Sequence, residues 1–122
     1  MDPATRTILI VVGVGILAKL ILGGKADRNA DIPSLIKKGA LLIDTRSAGE
    51  FSNGHIEGAI CIPHNAIAGK IGAHAKDKSK PIIVYCHSGA RSGVAKHALE
   101  KAGYTYVVNA GSLHRMRKLL GE

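Results

Sequence analysis

The stretch Pro81-Ile82-Ile83-Val84-Tyr85-Cys86-His87-Ser88-Gly89-Ala90-Arg91-Ser92 decides how this chain is read. The apolar, β-branched run up to Tyr85 has the pattern of a strand buried on both faces. A cysteine closes it, a short glycine-containing loop follows, and an arginine ends the loop where a helix begins. Such a loop turns backbone N–H groups inward, and the helix adds its positive end. Together with the arginine they make a cradle for an anion around a nucleophilic sulfur. The same field lowers a thiol pKa and holds the sulfur as thiolate.

Working outward, Ala40 to Asp44 reads as a second buried strand, ending on an acid. Ala59 to Ile62 is a short apolar strand stopped by Pro63, and Tyr104 to Val108 is a further strand. Helical segments lie between them. The first contains Leu35 and Ile36, is capped by Asp31 or Ser34, has Pro33 in its first turn and stops at Gly39. Ser47 to Ser52 is short, Asn53-Gly54 is a turn, and Asn65 is placed to cap a helix through Ile67 and Ile71 towards Ala75. Ser92 to Ala102 is a helix that buries Val94, Ala95, Ala98 and Leu99 and ends at Gly103. Ser112 to Leu120 is a basic terminal helix. Apolar strands alternating with helices predict an α/β fold with a parallel sheet of four to five strands, covered by helices on both faces. Ligands bind such sheets beyond the carboxyl ends of the strands, which is where Asp44, Cys86 and Asn109 fall.

At 122 residues the chain is one domain long, and 46% hydrophobic composition is that of a globular protein. One Phe, three Tyr and no Trp leave few platforms for base stacking, so a nucleic-acid partner is not expected. The formal charge of +8 favours anionic ligands without choosing among them. Two cysteines are too few for a disulfide framework, and no pattern calls for a metal. Cys61, between Ile60 and Ile62, reads as a small buried hydrophobe.

Residues 1–24 form a hydrophobic segment, 25–30 a polar linker, and 31–122 the domain. Ile8 to Leu22 is 15 residues with one charge, short of the roughly 20 that cross a bilayer comfortably. It is expected to anchor the chain at a bacterial-type inner membrane. Positive charge at Lys19, Lys25 and Arg28 leans the domain towards the cytoplasm. A cleaved signal peptide with a periplasmic product is the alternative, and a buried element of the domain itself is a third reading.

Two separated signatures resemble a single-domain rhodanese, a thiosulfate sulfurtransferase, over roughly Asp31 to Met116. The first is Asp44-Thr45-Arg46, Glu50-Phe51, Gly54-His55-Ile56, Gly58-Ala59 and Ile62-Pro63. The second is Tyr85-Cys86 through Arg91-Ser92-Gly93, then Ala95, Leu99, Gly103-Tyr104 and Asn109-Ala110-Gly111. The chain looks most like the small phage-shock-type rhodaneses, which carry an N-terminal export signal. It departs from many relatives at Ser112-Leu113-His114-Arg115, where they have a second glycine and a tryptophan.

The resemblance implies a three-layer rhodanese fold and sulfur transfer from thiosulfate to cyanide or a thiol through a persulfide on Cys86. His87, Ser88, Gly89, Ala90, Arg91 and Ser92 would hold the sulfur, with no metal or organic cofactor. Four residues separate Cys86 from Arg91. Phosphatase-type loops are one residue longer, which makes room for a tetrahedral phosphate. A cysteine phosphatase or arsenate reductase, and a non-catalytic persulfide carrier or binding module, are the rival readings. Arg91 reads as an anion ligand or loop brace, and His87 as a tuner of Cys86 or a supplier of an N–H. Asp44 and Arg46 read as a structural pair, and His55 as a hydrogen-bonded supporting histidine. The basic stretches Lys76–Lys80 and Arg115–Lys118 are solvated faces or steer anionic donors.

Overall fold

Strand β3 (Ile82–Cys86) is buried along its whole length. It pairs in parallel with β1 (Leu41–Asp44) on one edge and β4 (Val107–Ser112) on the other, and β2 (Ile60–Cys61) extends the sheet beyond β1. The order is β2-β1-β3-β4, a four-stranded parallel sheet. These statements come from a computed structural model that describes residues 25–122.

Strand alternation sorts the core into two layers. Ile43, Ile82, Val84 and Val107 face one side. Against them pack Ile67 of α3 (Ile67–Lys70), Ile71 of the 3-10 turn Ile71–Ala73, and Ala95 and Leu99 of α4 (Ala90–Lys101). Leu42, Ile83, Tyr85, Val108 and Ala110 face the other side. That face is covered by Ile32 of α1 (Ile32–Lys37) and Met116 of α5 (Leu113–Leu120). Helices therefore lie on both faces, as the alternation of elements predicts.

Local chemistry sets most boundaries. The Asp31 carboxylate accepts from the Ser34 N–H and caps α1, with Pro33 in the first turn. Ser47 and Glu50 form a reciprocal capping box at the start of α2 (Ala48–Ser52). The Ser112 hydroxyl accepts from the Arg115 N–H and caps α5.

Several expected boundaries are corrected. The last strand begins at Val107 rather than Tyr104, because residues 104 and 105 serve the neighbouring loop instead. The Tyr104 hydroxyl donates to the Ala75 carbonyl, and the Thr105 N–H to the Lys78 carbonyl at 2.9 Å. The strand also runs on through Asn109 to Ser112, polar residues whose place in the sheet no apolar pattern announces. No side-chain cap from Asn65 forms: Ala66 occupies the cap position of α3, which gives way to the 3-10 turn after Lys70. Val94 is 56% exposed, not buried. It lies about 200° around the helix from Ser92, which with Ala95 and Leu99 makes the inward stripe.

The expected membrane placement is also corrected. Among the described residues no helix is long and apolar enough to cross a membrane. At 12 residues α4 rises about 18 Å, against roughly 30 Å of hydrocarbon. The segment 1–24, on which the anchor and the signal-peptide readings rested, lies outside the described residues.

Ile83 is fully buried in the central strand. Ile83→Ala should cost about 2–5 kcal/mol of unfolding free energy, read from the midpoint of a urea titration at unchanged m-value.

Candidate active site

Cys86 is the last residue of β3, and the chain leaves it into a loop that turns directly into α4. Gly89 makes that turn possible. It sits at φ 101°, a left-handed conformation that a side chain disfavours. The turn aims the Gly89 N–H at Cys86 Sγ at 2.9 Å, and the Ser92 N–H and hydroxyl both lie 3.4 Å from it. The Ala90 N–H turns instead to the Ser88 hydroxyl at 3.4 Å. His87, Ser88 and Ala90 are exposed at the mouth of the loop, while Cys86, Gly89 and Ser92 are buried.

The charge balance at the sulfur follows from this geometry. Burial pushes the Cys86 thiol up. Donation from the Ser92 hydroxyl and N–H, and from the Gly89 and Ser88 N–H groups, outweighs it, and the thiol ends below its ordinary value. Cys61 shows the opposite balance: burial, then the charge of Asp44, pushes its thiol up. Its only described donation is to the Arg46 carbonyl, at 3.7 Å.

Among the described contacts the Arg91 guanidinium makes no hydrogen bond to the sulfur, although its charge couples to it. It makes a two-pronged ion pair with Glu50, at 2.7 and 2.9 Å, which ties the start of α4 to α2. Glu50 Oε1 also accepts from the Ser47 N–H and hydroxyl. The paired guanidinium, followed by the Ser47 N–H, holds the Glu50 carboxyl far below the usual carboxylate range. The capping box spans only three positions, Ser47 to Glu50, whereas the Arg91 pairing reaches 41 positions along the chain and no local pattern marks it.

Asp44 and Arg46 do form a pair, buried at the carboxyl end of β1. Arg46 Nη2 lies 2.7 Å from Asp44 Oδ2 and donates onward to the Gly54 carbonyl at 2.7 Å. The Arg46 N–H and Nε also donate to Asp44 Oδ1, each at 2.9 Å. His55 stacks on Phe51 with ring centroids 3.6 Å apart, and its Nδ1 lies 2.8 Å from the Phe51 carbonyl. It serves α2 and does not approach the sulfur in any described contact.

The sequence reading placed Asn109 at the functional edge of the sheet but gave it no role in the site. Its Oδ1 accepts from the Ser92 hydroxyl at 2.7 Å and from the Gly111 N–H at 3.0 Å. Its Nδ2 donates to the Gly89 carbonyl at 3.2 Å. A β-bulge explains how it gets there. Val84 is paired with Asn109 but Tyr85 with Gly111, so Ala110 is an extra residue that bends β4 beside the loop. No spacing in the sequence marks that bulge beyond the small residues Ala110 and Gly111.

The family profile described as Rhodanese-like domain matches residues 29–116. The chain belongs to the rhodanese-like family. This rhodanese-like chain is 41% identical over 71 residues to thiosulfate sulfurtransferase PspE of Escherichia coli, a match covering 58% of the chain and 68% of PspE. It is 36% identical over 90 residues to the uncharacterized protein YibN of the same organism, covering 73% of the chain and only 59% of YibN. A solved E. coli structure described as rhodanese with anions superposes with a TM-score of 0.61 at 38% identity, covering 63% of this chain and 91% of that one.

Cys86 should alkylate with iodoacetamide in preference to Cys61. Its rate should be full above a midpoint below the ordinary thiol value of about 8.5, and lost as pH falls through that midpoint. Ser92→Ala, which removes one of the donors, should raise the midpoint. Peptide mass spectrometry of each cysteine reads both effects.

Proposed function

We propose that this rhodanese-like protein moves sulfane sulfur from thiosulfate to a thiophilic acceptor, cyanide or a thiol, through a persulfide on Cys86. The observation that carries this reading is the sulfur at the end of β3, held under the N–H groups of Gly89 and Ser92 with its pKa drawn down. Similarity to PspE, a thiosulfate sulfurtransferase, supports thiosulfate as donor.

The chemistry is covalent catalysis in two displacements. Cys86 thiolate attacks the outer sulfur of thiosulfate, a new S–S bond forms, and the S–S bond of the donor breaks with its electron pair leaving on sulfite. The terminal sulfur of the Cys86 persulfide carries the negative charge. Backbone N–H groups of the loop and the amino end of α4 stabilise it. Cyanide or a thiolate then attacks that terminal sulfur, and Cys86 leaves as thiolate. No net redox equivalent enters or leaves the enzyme, and the two half-reactions predict ping-pong kinetics.

In this reading Gly89 and Ser92 supply donors to the sulfur, and His87, Ser88 and Ala90 line the mouth through which donor and acceptor pass. Arg91 braces the loop through Glu50. Asp44 with Arg46, and His55 through Phe51, support the elements that carry the loop. The engagement of Arg91 by Glu50 favours sulfur over phosphate. A phosphatase-type cradle turns its arginine onto the anion, whereas this guanidinium is held by a carboxylate. Arg28, His114, Arg115 and Lys118 line an open depression of about 420 Å3 around α5, a cationic surface suited to drawing in an anionic donor.

Thiosulfate and cyanide should give thiocyanate with wild type, and the rate should fall to background with Cys86→Ser. Thiosulfate alone should add the mass of one sulfur to the wild-type protein but not to Cys86→Ser. Thiocyanate production that survives Cys86→Ser would remove Cys86 from this role.

A further inference from the structure

The Cys86 loop is held from outside the family-matched region. Residues 25–27 precede the match at 29 and were expected to be a free linker. They lie instead along the outer edge of β4, the edge that no strand covers among the described residues. The Asp27 N–H donates to the Asn109 carbonyl at 2.8 Å, and the Asn109 N–H donates to Asp27 Oδ2 at 2.8 Å. The Lys25 carbonyl accepts from Asn109 Nδ2 at 3.2 Å. Lys96 of α4 closes the arrangement, with its Nζ 2.7 Å from Asp27 Oδ2. The packing is close as well: a Cβ built on Gly111 would lie 2.9 Å from the Ala26 Cβ.

The Asn109 backbone N–H and C=O each pair with Asp27, and its side-chain Oδ1 and Nδ2 each have two partners. Its backbone and one amide hydrogen are fixed by residues 25 and 27, and its remaining amide groups hold Gly89 and Ser92. Both of those residues place an N–H within hydrogen-bond distance of Cys86 Sγ. We propose that Lys25–Asp27 form a strap that holds Asn109 as a positioning residue, and that Asn109 in turn keeps the Gly89 and Ser92 donors aimed at the Cys86 sulfur. The proposal rests on the reading of Cys86 as the reactive thiol, and it makes that reactivity depend on residues upstream of the matched domain.

The physical reason is entropic. A loop N–H contributes to a thiolate only while it points at it, and each anchor removed widens the range of orientations the loop samples. Other titratable groups lie on the elements around the loop: Arg91 with Glu50 on α4 and α2, Asp44 with Arg46 at the end of β1, Tyr85 on β3, His87 in the loop, and Lys96 with Asp27; of these the charge of Arg91 couples to the sulfur. The sign separates their effect from positioning. Removing the Asp27 charge eases formation of a thiolate and lowers the alkylation midpoint. Losing the strap raises it.

The experiment uses the full 122-residue chain and reads iodoacetamide alkylation of Cys86 against pH by peptide mass spectrometry. Asp27→Ala removes the acceptor for Asn109 and should raise the midpoint by about half a pH unit. Asp27→Asn drops the charge but keeps an oxygen for the Asn109 N–H, and should leave the midpoint at or below the wild-type value. Asn109→Leu removes the side-chain acceptor for Ser92 and both amide donors without adding a charge, and should raise the midpoint. Circular dichroism on the same samples establishes that each variant is folded, and should Asp27→Ala not fold, Asn109→Leu read against Asp27→Asn decides. An unchanged or lowered midpoint in folded Asp27→Ala, or an upward shift of equal size in Asp27→Asn, overturns the strap. Alkylation requires no sulfur donor, so a failure here is distinct from a failure of sulfurtransferase activity.

Discussion

The burial of β3 between two parallel neighbours is the constraint from which the rest of the structure follows. A strand paired on both edges and covered on both faces has no freedom of register. Its last residue is therefore delivered to one place at the carboxyl edge of the sheet. Cys86 is that residue. The Tyr85 carbonyl just before it accepts from both the Thr45 N–H and the Thr45 hydroxyl, and the Tyr85 hydroxyl accepts from the Ile56 N–H. The end of the strand is thus pinned by groups outside the loop.

What the loop does with the sulfur is a contest between two effects of similar kind. Enclosing a thiol disfavours its charged form, and aiming N–H and O–H dipoles at it favours that form. The two cysteines of this chain show both outcomes. Cys61 is half-buried against a carbonyl and a nearby carboxylate, and its thiol moves up. Cys86 is more deeply enclosed yet moves down, because Gly89 and Ser92 point at it. Solvent exposure therefore does not set the direction in which each thiol moves. The direction of the surrounding dipoles does.

Much of the fold was legible because its causes are local. The β-branched run before Cys86, the Asp31 and Ser47 caps, and the glycine in the loop each act within a few residues. The expectations that failed depended on distant contacts. Val94 is apolar and adjacent in sequence to buried residues, but the orientation of α4 over the sheet turns it out to solvent. The last strand carries an asparagine through the core edge because a bulge and a partner segment satisfy it there. The candidate site divides the same way. Cys86 and its loop stand in one stretch, while Glu50 and Asn109 come to it from elsewhere in the chain.

The sequence by itself singled out the candidate nucleophile, the loop and the alternation of strands and helices, since each rests on neighbouring residues and simple periodicity. Only the tertiary structure decided where Arg91 points, what Asn109 holds and what residues 25–27 touch. Those depend on groups 41, 17 and 82 positions apart in the chain. Hydrogen bonds at such separations form only once the sheet has fixed the elements that bear them, and no local preference encodes them.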